Sequence, residues 1–324
     1  MARPGQIWAG IAGGALLAAT PAWATQSGQT PQTALQTRAT DVSGVTVTAP
    51  EKPSPLVNPE TQFVRSHLAQ NRNQQYARFR DPVCVRVIGL PAEFDAFVAR
   101  RVTALANRVH APIDRSAACT PNVNVIFSQK PQAQLDDIAK RRDILFGFHF
   151  AADLKKLTTF DRPIQAWYLT REVGTEGASV LELNHGVNFR DGGPGAPPVS
   201  LGVTVNGRAG SRLGNDMSSE LVHALIIADA NKLADAKIGA VADYIALLAL
   251  SRWQDLERCN AIPTILNLEA EGCANDPPET ATASDVALLR ALYALDPRET
   301  GAQQRITMAT RMQSERQKAN AEQH

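Results

Sequence analysis

The chain has 324 residues, with 33 basic against 32 acidic side chains and a formal net charge of +1. A near-neutral chain without a basic cluster has little with which to neutralise phosphates, which argues against nucleic acid or an anionic membrane surface as a partner. The four cysteines are an even number, and in an exported chain they predict two disulfides rather than a zinc site, because none falls in a C-x-x-C spacing.

Residues 1–24 read as a cleavable signal peptide: Arg3, then an apolar run over 7–19, then Ala22-Trp23-Ala24 as a small-x-small cleavage site. The run is short of the roughly 20 apolar residues a membrane span needs, so no span is expected after cleavage and the product is placed in the periplasm or outside the cell. Residues 25–59 are rich in Thr, Gln, Ser and Pro and are expected to form a disordered linker, with a short strand at Val45-Thr46-Val47-Thr48.

From residue 60 to 298 the pattern becomes that of one globular α+β domain. Val83, Val85, Val87 and Ile88 predict a strand over 82–89. Phe94, Phe97, Val98, Val102, Leu105 and Val109 then recur at helical spacing over 92–109. Strands are expected at 122–127, 165–170 and 179–184, with a glycine- and proline-rich loop over 188–198. The chain then turns helical over 217–233 and 238–253, and again from the capping pattern Thr282-x-x-Asp285. Residues 299–324 are polar and predict a solvated or loosely docked tail helix. The expected architecture is thus a mixed β-sheet with a long helix in the N-terminal half and a mainly helical C-terminal half. Within these units, Cys84 pairs most simply with Cys119 and Cys259 with Cys273, although four cysteines allow other connectivities.

One stretch carries a chemical suggestion. Residues 217–229, MSSELVHALIIAD, resemble the zinc-binding helix of the metzincin peptidases, whose pattern is HExxHxxGxxH or D. In that family two histidines one helical turn apart hold zinc, and the glutamate polarises the metal-bound water. The resemblance implies Glu220 as the water-activating residue and His223 and Asp229 as metal ligands. Ser219 stands where the first histidine belongs, and Ile226 where glycine turns the chain toward the third ligand. The segments around 262–267 and 282–293 are also similar to the post-helix turn and final helix of such domains. The layout as a whole is metzincin-like over about residues 80–295. It is similar as well to uncharacterised exported bacterial proteins described as predicted zinc-dependent proteases.

Three functional classes follow. The first is an envelope protein with a peptidase-like fold that has lost hydrolysis, carries no cofactor, and binds or scaffolds an unknown protein or peptide partner. The second is an active zinc peptidase that draws a further ligand from outside the helix, such as His149 or His185. The third is a purely structural exported domain, with His223 an ordinary core histidine. No G-x-S-x-G elbow and no Walker loop occurs.

Overall fold

In a computed structural model, the structure describes residues 58–116, 118–141, 143–147, 149, 151–174, 179–181, 217–273 and 276–321. The expected signal peptide, nearly all of the expected linker, the expected loop over 188–198 and His185 lie outside the described residues. Within them the chain is α+β, a mixed sheet packed by helices.

The elements run α1 (Pro59–His67), β1 (Arg78–Phe79), β2 (Val85–Ile88), α2 (Ala92–Arg108), β3 (Val123–Ser128), α3 (Pro131–Arg141), α4 (Leu154–Leu157), β4 (Ile164–Gly174), β5 (Ser179–Leu181), β6 (Met217–Asp229), α5 (Ile238–Leu250), α6 (Ala283–Tyr293) and α7 (Gly301–Ala321). Short 3-10 turns at Asp143–Phe146 and Ile265–Leu268 add to the packing. The sheet order is β2-β3-β6-β4-β5, with β1 alongside β6. β2, β3 and β6 are parallel, β1 is parallel to β6, and β4 runs antiparallel between β6 and β5.

The helix expected over 217–233 is corrected: residues 217–229 form the 13-residue strand β6, paired on both sides. The physical reason is burial. A strand covered on both faces reads as an unbroken apolar run, and Ala224 to Ala228, buried at every position, does so without the period-2 alternation that marks a half-exposed strand. Ala224, Ile226 and Ala228 belong to the main core, with Val123, Val125 and Tyr168 and with α2 and α5. Leu225 and Ile227 point to the other face, where they meet Trp167, Leu135, Ile138 and Phe146. By contrast β3 alternates buried and half-buried side chains along its whole length, which is why it was readable.

Turns and caps follow local chemistry. Asn58 caps α1 by accepting from the amides of Glu60 and Thr61, with Pro59 in the first turn. Gly89, at the end of β2, has φ +109°, and a Cβ there would fall 2.0 Å from the Phe127 carbonyl oxygen, so only glycine fits. Helix α5 is buried from Ala240 to Leu250. Its one charge, Asp243, is held by an ion pair with Arg101 of α2 and by the Ala281 amide at 2.8 Å. The disulfides are Cys84–Cys119, which ties the start of β2 to the segment before β3, and Cys259–Cys273.

The tail is helical but not solvated, because Gln304, Met308, Ala309 and Met312 are buried against α1 and α6. Asn58 Nδ2 donates to Gln313 Oε1 at 3.1 Å, and Arg316 pairs with the buried Glu60 at 2.6 Å, so both ends of the described chain close on each other. The helix α6 starts at a capping box in which Asp285, 1% exposed, also accepts from the Thr264 hydroxyl at 2.5 Å and the Ile265 amide at 2.9 Å. Replacing Asp285 with Ala strands these donors in the core. A loss of about 3 kcal/mol is expected in urea unfolding, well above the roughly 1 kcal/mol of an exposed helix cap.

Candidate functional site

The three residues singled out by the resemblance all lie on β6, and a strand disposes them differently from a helix. Glu220 is opposite Arg171 and His223 is opposite Leu169, with a register step between Leu169 and Thr170 that leaves Val222 as the additional residue. Arg171 and Leu169 are two apart on β4 and share a face, so the bulge returns Glu220 and His223 to one face of the sheet. Asp229 is six residues beyond His223, which at a strand's rise is about 20 Å away. It closes a turn, accepting from the Asn231 amide at 3.0 Å. The expected grouping of Glu220, His223 and Asp229 around one point is therefore corrected. Among the described residues no three His, Cys, Asp or Glu side chains gather as a metal site.

Glu220 is buried, and its Oε2 accepts from Arg171 Nε at 2.9 Å and lies 2.7 Å from Nη2. The same guanidinium donates to Asp81 Oδ2 at 2.9 Å. Burial works against the charge on Arg171, but Glu220 and Asp81 together outweigh it and raise its pKa. Arg78, in register with Glu220 on β1, is 2% exposed and donates to the Leu295 carbonyl; burial, with the charge of Arg80, pushes its guanidinium down to about 10 against the pull of Glu220. Next along the face, the Asn124 side-chain amide nitrogen lies 2.7 Å from His223 Nε2, a hydrogen-bonding contact that ties β3 to β6. Ser219, at the position of the family's first histidine, donates to Asn73 Oδ1 at 2.7 Å. Of the histidines considered as outside ligands, His149 sits with Nδ1 3.0 Å from the Gly147 carbonyl oxygen. The residues present do not fit a zinc ion: they form an ion-paired, hydrogen-bonded strip across three strands.

A second feature was not anticipated from the sequence. A groove of about 440 Å³ runs between α1 and residues 255–262. Phe63 and His67 of α1 line it, their rings 4.9 Å apart, together with Asp255, Arg258, Asn260 and Ile262. The volume is that of a small-ligand site. Burial lowers the pKa of His67, and Asn260 and the backbone at Gln254 and Asp255 only partly offset this, so the ring is neutral at neutral pH. The pattern Asn58-Pro59-Glu60 could have disclosed α1 as a helix, but nothing in the sequence couples His67 to a segment nearly two hundred residues away.

No protein family, curated protein or solved structure matches the chain.

Two outcomes follow from these environments. Arg171→Ala leaves the buried Glu220 carboxylate without its cation and is expected to cost about 2 kcal/mol, while the double variant Arg171→Ala/Glu220→Gln recovers part of it; urea unfolding of the four proteins reads the coupling. For His67 the folded pKa is depressed below 6.5, so the unfolded chain takes up the proton first and stability falls as pH drops below that value. Glu269 works in the opposite sense: burial, against the pull of Lys232, pushes its carboxyl up from 4.5 to about 7, so its contribution rises as pH falls through that window. The difference in melting temperature between the parent chain and His67→Gln should therefore be flat above neutrality and shift toward the variant on acidification. A pH-independent difference would remove His67 as the source.

Proposed function

We propose that the chain is an exported binding or scaffolding domain with a zinc-peptidase-like layout and no hydrolytic chemistry of its own. The observation that carries this reading is the state of Glu220. A carboxylate that activates water must present a lone pair to that water beside a metal. Here Oε2 of Glu220 receives the guanidinium of Arg171, and Nε2 of the neighbouring His223 imidazole is in hydrogen-bonding contact with the Asn124 side-chain amide. Departures at Ser219 and Ile226 support the same reading. Both positions are occupied with strand packing, Ser219 hydrogen-bonded to Asn73 and Ile226 fully buried.

Export is supported by the order of signals over residues 1–24 and by two disulfides, which persist in oxidising compartments. Among the described residues no helix is long and apolar enough to cross a membrane. The polar strip along β6 and the groove beside α1 are the two places where a partner would find directed hydrogen-bonding groups.

The test is elemental analysis of the mature protein, expressed with export and purified without chelators, alongside cleavage of a mixed peptide library after zinc addition. The parent, Glu220→Gln and His223→Ala proteins should all lack stoichiometric zinc and all leave the library intact. A stoichiometric zinc that disappears in His223→Ala, with cleavage that disappears in Glu220→Gln, would establish an active peptidase and overturn the reading.

A further inference from the structure

The groove beside α1 presents two opposite charges. Asp255 and Arg258 both line it and both are exposed, and among the described residues neither takes part in an ion pair. The other acid of the segment, Glu257, is already engaged by Arg162. Besides the ion-paired Glu257, one negative and one positive charge outside any ion pair therefore border a cavity whose apolar surface includes Phe63 and Ile262, with His67 and Asn260 among its uncharged polar groups.

The segment that carries the charges is fastened on both sides. The Gln254 amide donates to the His67 carbonyl at 2.9 Å, and its side chain donates to the Ser66 carbonyl at 3.2 Å. Beyond Asp255, the Glu271 amide donates to the Glu257 carbonyl at 2.9 Å, and the Cys259–Cys273 disulfide holds the same stretch. Asp255 itself has φ +48°, a left-handed conformation uncommon for a residue with a Cβ, although Asp and Asn tolerate it best. Such conformations persist where the surroundings impose them, and they cluster at binding sites.

We propose that this groove binds a short peptide with free termini, its ammonium toward Asp255, its carboxylate toward Arg258 and an apolar side chain against Phe63 and Ile262. The charges call for a zwitterion. The groove, at about 440 Å³, has the size of a small-ligand site and offers more room than a single α-amino acid fills. A di- or tripeptide, at about 3.3–3.6 Å per residue, has the reach. The amides of such a ligand match Asn260, Gln62 and Ser66, which also line the groove. The site shares no residue with the β6 strip and stands whether or not that strip binds metal.

The experiment is calorimetric titration of the mature full chain with the tripeptide Ala-Leu-Ala, its N-acetylated and C-amidated forms, and free leucine. The same ligands are titrated into Asp255→Asn and Arg258→Gln, whose exposed positions leave the core untouched; circular dichroism confirms folding, and Asn retains the left-handed backbone. The free tripeptide should bind saturably. Acetylation should weaken binding to the parent by up to about fivefold and have no effect on Asp255→Asn, and amidation should behave likewise with Arg258→Gln, as expected for solvent-accessible charge pairs. Absence of saturable binding at millimolar concentration, equal binding of the blocked forms to the parent, or leucine binding as tightly as the tripeptide would each overturn the proposal.

Discussion

Burial of β6 on both faces is the constraint on which the rest of the structure depends. Its lower half carries Ala224, Ile226 and Ala228 into the main core and Leu225 and Ile227 into the smaller one, so one strand supplies apolar surface to both layers. Each fully buried Leu or Ile contributes about 1.5–3 kcal/mol, and the flanking strands β3 and β4 satisfy the backbone groups that burial would otherwise leave stranded. The smaller core, built from α3 and the 143–146 turn, covers Trp167, Leu225 and Ile227, with the half-buried Ile126 beside them. Toward the start of β6 the sheet face changes character, and there Glu220, Arg171, His223 and Asn124 replace apolar side chains. The polar strip is where it is because the covering layer stops.

That division explains what the sequence disclosed and what it hid. Helix α2 and strand β3 each have one exposed side, so their apolar residues recur with a period that can be read, and α6 announces itself through the Thr282 and Asp285 capping box. In β6 every residue from Ala224 to Ala228 is buried, and the period is erased; Glu220 and His223, three apart, then looked like neighbours on a helix. They do share a face, but for a different reason: the extra residue Val222 shifts the register by one. A bulge leaves no signature in residue type. The partnership of Glu220 with Arg171 was equally hidden, since antiparallel pairing of β4 with β6 brings together side chains 49 positions apart. The cysteine pairing was legible because each couple spans a single loop-and-element unit, with separations of 35 and 14 residues.

The tail helix shows the same limit from the other side. Its polar composition suggested a solvated or loosely docked helix; Met308 and Met312 are fully buried, and Gln304 Oε1 accepts from the Tyr76 amide at 3.0 Å. A few buried residues on a long polar helix are enough to dock it where a partner supplies the matching groups, here Tyr76, Glu60 and Asn58. Docking α7 against α1 in turn fixes one wall of the groove. The opposite end of α1 is fixed by a bridge between Leu68 and Trp253 and by the Ala69 amide donating to the Arg252 carbonyl at 2.9 Å.

With both walls fixed, the backbone positions of Asp255 and Arg258 become a property of the fold. In a free loop, opposite charges three residues apart would be at liberty to collapse into a surface ion pair, which is worth no more than about 1 kcal/mol and is easily offset by backbone constraints. The hydrogen bonds from Gln254 and Glu271, together with the disulfide at Cys259, supply such constraints. They order the backbone that carries the two charges, so a ligand bound there would avoid part of the entropic cost of arranging the segment. The same arrangement accounts for His67: a neutral ring beside Phe63 keeps the floor of the groove without a formal charge, which leaves the field there to the two residues at its rim.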